Sequence, residues 1–368
     1  MSCPPSRPAR ATPLESERDD MTSLTDKTRR VVGGVDTHRD VHVAAVVDDI
    51  GRVLGSAEFP STISGHRCLL RWLRRHGELD RVGVEGTGAW GAGLSRFLIA
   101  EGITVVEVDR PNRQHRRRHG KSDTTDAEAA ARAALNGDAN GAPKTRTGNV
   151  EAIRALRVAR RSAIKARTQA ANQLHALVVT APDELRGQLR ALPLAELAAT
   201  AARFRPGHTI TAVTGTKIAL AEIARRWLAL SEEIARLDEH LDRLVAATAP
   251  RLVARHGIGT DTAGALLVAA GDNPHRLRNE RSFAALCGVS PLDASSGLQR
   301  RHRLNRGGDR DANHALWRIA LVRMATCPRT RAYVARRTAE GRTKKEIIRC
   351  LKRYIAREIH ADLLDLQQ

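Results

Sequence analysis

The stretch "VVGGVDTHRDVHVAAVVDDIGRVLGSAEF", residues 31–59, decides the fold of the first part of the chain. Its three apolar runs predict strands, and "DDIG" at 48–51 predicts a hairpin turn between the second and the third. Beyond it, helical patterns at about 65–76 and 89–101 alternate with the apolar strands "RVGVE" and "ITVVEV". Three adjacent strands followed by alternating helices and strands predict a mixed α/β sheet with helices on its faces.

Four acidic residues stand at the ends of these predicted elements. Asp36 closes the first strand and Glu85 closes the fourth. The carboxyl ends of strands in such a sheet form an edge where sites occur. Asp123 and Asp126 lie three residues apart at the start of an alanine-rich helix, so they share one face of that helix. The pattern predicts four carboxylates around one small volume.

Each acid also has a simpler explanation when it is taken alone. A strand-end acid is a common turn residue, and an acid in the first turn of a helix is stabilised by the free backbone N–H groups there. His38 and His42 are four residues apart on a strand or turn, where that spacing does not align side chains, so we expect neither to be a ligand.

Four neighbouring carboxylates need a compensating cation, because like charges raise one another's pKa values. Oxygen ligands suit Mg²⁺ or Mn²⁺, and two such ions clamp the attacking and leaving oxygens of a phosphodiester. The basic run "RQHRRRHGK" at 113–121 directly precedes two of the acids and is expected to hold the phosphate backbone. Its proposed contact residues are Arg113, Arg116, Arg117, Arg118 and Lys121.

The charge of the whole chain indicates a polyanionic partner. The 368 residues include 61 basic and 41 acidic side chains, a formal net charge of +20. Nucleic acid is the first candidate, because each neutralised phosphate releases counterions. No apolar run is long enough for a membrane helix and no secretory signal is recognisable, so we expect no membrane partner and a cytoplasmic protein, associated with the nucleoid when it acts.

The segment from 150 to 250 is almost purely helical in pattern. One run alternates apolar spacings of three and four, which is a heptad seam typical of a coiled coil, at Leu220, Ile223, Trp227, Leu230, Ile234, Leu237, Leu241 and Leu244. The seam is a packing device that fits either an antiparallel hairpin with the helix at about 149–178 or a second subunit. We expect it to contribute to a homo-oligomer, a dimer or tetramer.

The carboxy-terminal part carries a second set of candidate residues. "HGIGTDTAGALLVAAGD" at 256–272 has a Gly-x-Gly turn entering an apolar helix, like a helix-hairpin-helix element whose turn amides contact DNA phosphates through Gly257 and Gly259. The later segment "CGVSPLDASSGLQRRHRL" supplies a Ser/Gly loop and a basic run. In that run Arg300, Arg301 and Arg303 are candidate nucleic-acid contacts.

Together these segments resemble the DEDD insertion-sequence transposases, which are related to the Piv invertases and described as bridge-RNA-guided recombinases. The resemblance implies a RuvC-like, ribonuclease-H-type fold and metal ligation by Asp36, Glu85, Asp123 and Asp126. It also implies a nucleophilic serine, best matched by Ser296, with the adjacent Ser295 open as an alternative. Where the family often has a proline before the first glycine of the Gly-x-Gly turn, this chain has His256.

The predicted organisation follows from these assignments. We expect a disordered extension (1–29), a RuvC-like DEDD catalytic domain (30–148) and a helical coiled-coil region (149–250). A mainly α transposase domain with the catalytic serine (251–330) and a helical tail (331–368) complete the chain.

The leading hypothesis is a DNA transposase or site-specific recombinase that acts on DNA, uses Mg²⁺ or Mn²⁺ and is guided by a structured RNA. The alternative is a RuvC-like Holliday-junction resolvase or a ribonuclease-H-like nuclease that uses water instead of serine. A third reading is a non-catalytic nucleic-acid-binding protein on the same scaffold, which the presence of all four acids argues against.

Overall fold

The computed structural model divides into two compact units, residues 1–146 and 147–368. The residues it describes are 29–108, 122–205, 207, 211–295, 302–303, 305 and 307–366. The expected disordered extension therefore lies almost entirely outside the described residues.

The first unit contains a five-stranded mixed sheet. Its strands are β1 (Arg30–Thr37), β2 (Val41–Asp48), β3 (Val53–Pro60), β4 (Glu78–Glu85) and β5 (Thr104–Val108), in the spatial order β3-β2-β1-β4-β5. The first three strands pair antiparallel, whereas β4 pairs parallel to β1 and β5 parallel to β4. The mixed sheet expected from the sequence is confirmed. Its β4 begins at Glu78, earlier than "RVGVE" predicts.

Local sequence explains the hairpin between β2 and β3. The Asp48 carboxylate accepts hydrogen bonds from the backbone N–H groups of Ile50 (3.2 Å) and Arg52 (2.8 Å). Gly51 adopts a positive φ of 81°, a backbone conformation that residues with a Cβ atom rarely adopt. The turn therefore sets the register that keeps Val43, Val46 and Val47 of β2 buried.

Helices cover both faces of the sheet. On one face, α1 (Ile63–Arg74) and α2 (Ala92–Ala100) bury leucines against Val31 and Val35. On the other face, α3 (Asp123–Asn136) packs its alanines near Val32 and Val47. Strands β1 and β2 are buried on both faces for this reason, which is why they are apolar along most of their length and not alternating.

Glycines in the sheet let α3 approach the backbone closely. A methyl group on Gly34 of β1 would lie 2.2 Å from the Ala127 carbonyl oxygen and 2.2 Å from the Ala131 backbone nitrogen. A methyl group on Gly83 of β4 would lie 2.5 Å from the Ala130 carbonyl oxygen. No larger residue fits at either position without moving α3, so the glycines and alanines together fix how close the helix lies to the sheet.

The second unit is mostly helical, and two long helices dominate its first half. These are α4 (Asn149–Val179) and α7 (Ala212–Thr248), with the shorter α5 (Asp183–Leu189) and α6 (Leu194–Ala202) between them. Arg160 of α4 pairs with Asp238 of α7, and Arg226 of α7 donates to Gln173 of α4 at 2.9 Å. Contacts in this order show that the two helices run antiparallel.

Most residues of the predicted heptad seam pack against other residues of the same chain. Leu220 is buried with Leu174 and Val178 of α4, and Leu241 is buried beside Val150 near the other end of the pair. The seam therefore packs against α4 in the antiparallel arrangement, which is one of the two arrangements that the sequence left open.

The rest of the second unit surrounds the fully buried Phe283. Its elements are a short helix α8 (Pro250–Val253), α9 (Thr260–Ala270), a 3-10 turn (Pro274–Leu277), α10 (Glu280–Leu286), β6 (Leu292–Asp293), β7 (His302–Arg303), α11 (Arg310–Thr326), α12 (Pro328–Ala339) and α13 (Lys344–Leu364). Within the described ranges, none of the helices combines the length and the apolar character needed to span a bilayer.

Candidate functional site

Strand geometry brings Asp36 and Glu85 to the same edge of the sheet. Val35 of β1 pairs with Val84 of β4 in a parallel register, and the two acids are the next residues along these strands. Asp36 is buried, with 8% of its surface exposed, while Glu85 is half-buried. The backbones of Asp36 and Glu85 therefore lie side by side at the sheet edge where the sequence predicted them.

The start of α3 supplies the other two acids. The Ser122 hydroxyl caps this helix by accepting a hydrogen bond from the Thr125 backbone N–H at 3.2 Å. Asp123 is the first helical residue and Asp126 lies one turn later. The Asp126 side chain is buried, whereas half of the Asp123 side chain is exposed.

Three ligand atoms lie together at this edge. His38 Nε2 is 3.9 Å from Asp36 Oδ2 and 3.7 Å from Asp123 Oδ1. The three ligand atoms all lie within 4.8 Å of one another. His38, which the sequence did not lead us to expect as a ligand, lies in the turn between β1 and β2 with its ring nitrogen beside these two carboxylates. Among the described residues, Glu85 and Asp126 do not join this closest group.

Burial and the neighbouring charges at this site shift the pKa of the Asp36 carboxyl. Burial raises the pKa of the Asp36 carboxyl above its usual value, and the neighbouring Asp126 and Asp123 carboxylates raise it further. His38 and the Thr37 backbone N–H act in the opposite direction and lower it. The influence of Asp126 on Asp36 indicates that it is close enough to contribute to the same electrostatic site.

The backbone around Glu85 is held by two threonines. Thr37 Oγ1 donates a hydrogen bond to the Glu85 carbonyl oxygen at 2.8 Å, which joins the ends of β1 and β4. Thr87, in the glycine-rich loop after Glu85, donates to the Glu107 carboxylate of β5. These bonds tie the loop to both neighbouring strands, and neither threonine was singled out from the sequence.

His42 lies in the interior, away from the acids. It is fully buried, and its ring stacks on that of His66 of α1 at 5.4 Å between centroids. Within the described part of the chain, the ring nitrogens of His42 and His66 have no hydrogen-bond partner. Burial lowers the pKa of His42 to about 4, with His66 and His38 adding to the shift. Both rings are therefore neutral at neutral pH.

The Gly-x-Gly turn of the second unit connects α8 to α9. Gly257 has a φ of 79°, and Gly259 precedes the first residue of α9. Arg323 of α11 donates to the His256 carbonyl oxygen at 2.8 Å, which fixes the turn against that helix. Asp261, in the first turn of α9, is paired at 2.7 Å with Arg157.

The Ser/Gly loop is described only at its base. Asp293 of β6 pairs with His302 of β7, and Ser295 donates hydrogen bonds from its backbone N–H and its hydroxyl to Asp293. Arg303 is exposed beside this base. The proposed nucleophile and most of the predicted basic contacts lie outside the described residues: Ser296, Arg113, Arg116, Arg117, Arg118, Lys121, Arg300 and Arg301.

Two family models match this chain in succession. A DEDD transposase model named for IS110 matches residues 33–181, and the model described as the transposase IS116/IS110/IS902 family matches residues 249–335. Together they cover more than half of the chain. The chain belongs to the DEDD insertion-sequence transposase family. In this transposase family member, all four predicted acids fall within the first match, and Ser295 and Ser296 fall within the second.

A curated relative agrees with this family. The chain is 30% identical over 156 residues to the "Insertion element IS110 uncharacterized 43.6 kDa protein" of Streptomyces coelicolor. The aligned part covers 41% of this chain and 38% of that relative, which is well under half of each.

Proposed function

We propose that the chain is a DNA transposase, a site-specific recombinase that cuts and rejoins DNA at the ends of an insertion sequence. The convergence of Asp36, Asp123 and His38 at one sheet edge, in a chain of this family, is the observation that carries the proposal. The strand order and the position of the acids also support the RuvC-like, ribonuclease-H-type identity of the first unit.

The donor set at this edge fits a divalent cation. Donor atoms around one ion at about 2.1 Å are separated by roughly 3.0 to 4.2 Å, and the measured separations from His38 Nε2 fall in that range. A buried carboxyl whose pKa is raised by its acidic neighbours is the electrostatic situation that a cation relieves.

In the proposed site, Asp36, Glu85, Asp123 and Asp126 would hold Mg²⁺ or Mn²⁺, with His38 as an additional neighbour. The metal would supply Lewis-acid stabilisation of the charge on the reacting phosphodiester oxygens. The protein's own contribution is to fix the acids on two strand ends and a helix start, and to hold the phosphate backbone with the basic run at 113–121.

The proposed nucleophile is the hydroxyl of Ser296, or of the adjacent Ser295. The serine oxygen forms a bond to phosphorus while the bond to the leaving deoxyribose oxygen breaks, the serine proton passes to a base, and the leaving oxygen takes up a proton. Attack on the resulting phosphoserine by a new strand's hydroxyl reverses these steps and releases the serine. The phosphodiester energy is conserved, so joining needs no external energy source.

Two further partners belong to the proposal. The net charge of +20 supports the binding of a structured guide RNA in addition to DNA. A homo-oligomer, a dimer or tetramer, would bring two element ends together, with the long α4 and α7 pair as a candidate interface.

The proposal is tested with supercoiled DNA carrying the element ends, Mg²⁺ and the flanking transcript. Covalent protein–DNA adducts and joined products are measured for the wild type, Asp36→Ala and Ser296→Ala, with Ser295→Ala in parallel. Asp40→Ala is the matched control, because Asp40 is an exposed acid in the turn beside the site. We expect Asp36→Ala and one serine variant to lose both products while the control retains them.

Three outcomes contradict parts of this mechanism. Strand cleavage that survives both serine substitutions would favour the water-dependent resolvase or nuclease alternative. Full activity in Asp36→Ala would exclude the metal site. Activity that does not change when the transcript is omitted would remove the guide RNA from the proposal.

A further inference from the structure

A second surface of the molecule has the composition of a nucleic-acid groove, and none of the residues that line it is among those proposed for catalysis. It is a groove of about 900 Å³ in the second unit, between the turn at 254–256 and helices α11, α12 and α13. Helix α13 begins at Lys344, beyond the end of the second family match at residue 335. Six of its fifteen lining residues lie beyond that end, where neither match extends.

The aromatic content of the groove is the first observation. The chain contains two tyrosines, and both line it. Tyr333 of α12 and Tyr354 of α13 meet edge to face, with 5.8 Å between ring centroids. Tyr354 is 56% exposed, and the apolar side chains of Leu351 and Ile355 lie beside it in the lining of the groove. An exposed aromatic ring in a concave surface is a platform on which a base can stack.

The charge of the groove is the second observation. Among the described residues, its lining includes one carboxylate, that of Glu358, and five guanidinium groups, those of Arg255, Arg323, Arg329, Arg336 and Arg357. The carboxylate is already held by Arg323 through hydrogen bonds of 2.8 and 3.1 Å. Over the part of the chain that the structure describes, no carboxylate lies within ion-pair distance of Arg329 or Arg357.

The relative positions of rings and charges match one type of ligand. The Arg336 guanidinium carbon lies 5.5 Å from the centre of the Tyr333 ring, so a cation and an aromatic face are adjacent. A phosphate backbone placed along the exposed arginines would bring its bases to the tyrosines. A duplex cannot do this, because its bases are stacked on one another inside the helix.

We propose that this groove binds single-stranded nucleic acid, with unstacked bases on Tyr354 and Tyr333 and backbone phosphates on Arg329 and Arg357. The ligand class is shared by single-stranded DNA and RNA, since stacking and phosphate contacts do not depend on the sugar. This inference goes beyond the proposed transposase function, because binding here requires neither the acidic site nor the serine.

The test is fluorescence anisotropy with the full chain and labelled oligonucleotides of about 12 residues, within the range of single-strand sites. Oligo-dT and oligo-U form the two arms, and a duplex of the same length is the comparison. We expect Tyr354→Ala to weaken binding of at least one single strand by about tenfold, while Tyr354→Phe stays within about twofold of the wild type. Arg357→Gln is expected to reduce the salt-dependence slope by about 0.7.

Matched controls come from the same unit. Trp317→Ala removes another exposed aromatic ring and Arg281→Gln another exposed arginine, and neither residue lines the groove. Both are expected to bind as the wild type does. Because oligonucleotide binding is measured without strand cleavage, a failure of the catalytic proposal is distinguishable from a failure of this one.

A measurement on the unsubstituted chain removes any dependence on variant folding. The Cys327 thiol lines the groove at the start of α12, and its hydrogen bond with Thr330 lowers its pKa, which favours alkylation. Bound oligonucleotide is expected to slow iodoacetamide labelling of Cys327, as followed by peptide mass spectrometry.

The outcomes divide cleanly. If Tyr354→Ala loses affinity for both oligo-dT and oligo-U, the groove binds single strands of DNA and of RNA alike. If it loses affinity for one of them alone, that oligonucleotide identifies DNA or RNA as the occupant. The inference is overturned if Tyr354→Ala binds single strands as tightly as the wild type, or if it weakens the duplex to the same extent. An unchanged labelling rate of Cys327 at saturating oligonucleotide would also overturn it.

Discussion

Acidification is expected to destabilise the first unit through the buried His42 and His66 pair. Both rings are buried and stacked, and His42 has no hydrogen-bond partner among the described residues. A protonated imidazole there would be an uncompensated buried charge beside a second histidine. The unfolded chain therefore binds protons more readily than the folded unit, and stability must rise with pH over the window between the two pKa values.

The magnitude follows from the pKa of His42. Its pKa is about 4 in the folded unit, against 6.5 for an ordinary histidine. The stabilising contribution of the neutral ring is fully present above 6.5 and is lost as the pH falls toward 4. By linkage, we expect the free energy of unfolding to fall by about 2 kcal/mol between about pH 7.5 and about pH 5 from this residue alone. Burial also lowers the pKa of His66, so that residue acts in the same direction.

The assay is urea denaturation at the two pH values, with hydrogen exchange of the β2 peptide to assign the transition to the first unit. His42→Leu replaces the ring with an apolar side chain and is expected to flatten the pH dependence by about 2 kcal/mol. His175→Leu, at an exposed position of α4, is the control and is expected to keep the wild-type dependence. An equal pH dependence in His42→Leu and the wild type would refute the reasoning.

The remaining predictions concern the site and its supports. Gly34→Ala is expected to lower the free energy of unfolding by about 1–3 kcal/mol and to weaken Mn²⁺ binding, because the new methyl group meets the α3 backbone at 2.2 Å. Gly55→Ala is the control, since the nearest atom there is in a side chain 3.4 Å away. Calorimetry should show neither effect for this control. His38→Ala removes the neighbour whose electrostatic interaction lowers the pKa of the Asp36 carboxyl, so the pH midpoint of Mn²⁺ binding should move upward. A downward shift on titration would contradict the electrostatic assignment. Arg255→Gln is expected to cost about 1–3 kcal/mol in urea denaturation, since the buried Asp362 carboxylate loses hydrogen bonds of 2.8 and 3.1 Å and keeps a 3.8 Å ion pair with Arg251. An unchanged midpoint would show that the Arg255–Asp362 pair contributes nothing.

Local pattern predicted most elements of the first unit, and it failed where neighbours override propensity. The strand β4 begins at Glu78 because the Glu78 backbone N–H donates to the Arg29 carbonyl oxygen. The polar residues at the start of this strand do not predict that contact. The helix α2 begins at Ala92, later than predicted, because the glycine-rich loop continues through Gly91. The four-residue spacing of His38 and His42 gave no reason to expect a ligand, and the position of His38 beside Asp36 and Asp123 depends on the turn geometry and not on that spacing.

The sequence by itself determined the local features of this protein: valine-rich strands, a serine-capped helix start, and acids at the ends of three elements. Tertiary structure decided which of those features meet. Asp36 and Asp123 are 87 positions apart, and they approach because Gly34 and Gly83 let an alanine helix lie directly on the sheet. The tyrosine and arginine groove likewise exists only when α12 and α13 pack together, since residues at 333 and 354 share no local pattern. Backbone proximity and side-chain direction are set by packing, and a linear pattern does not contain them.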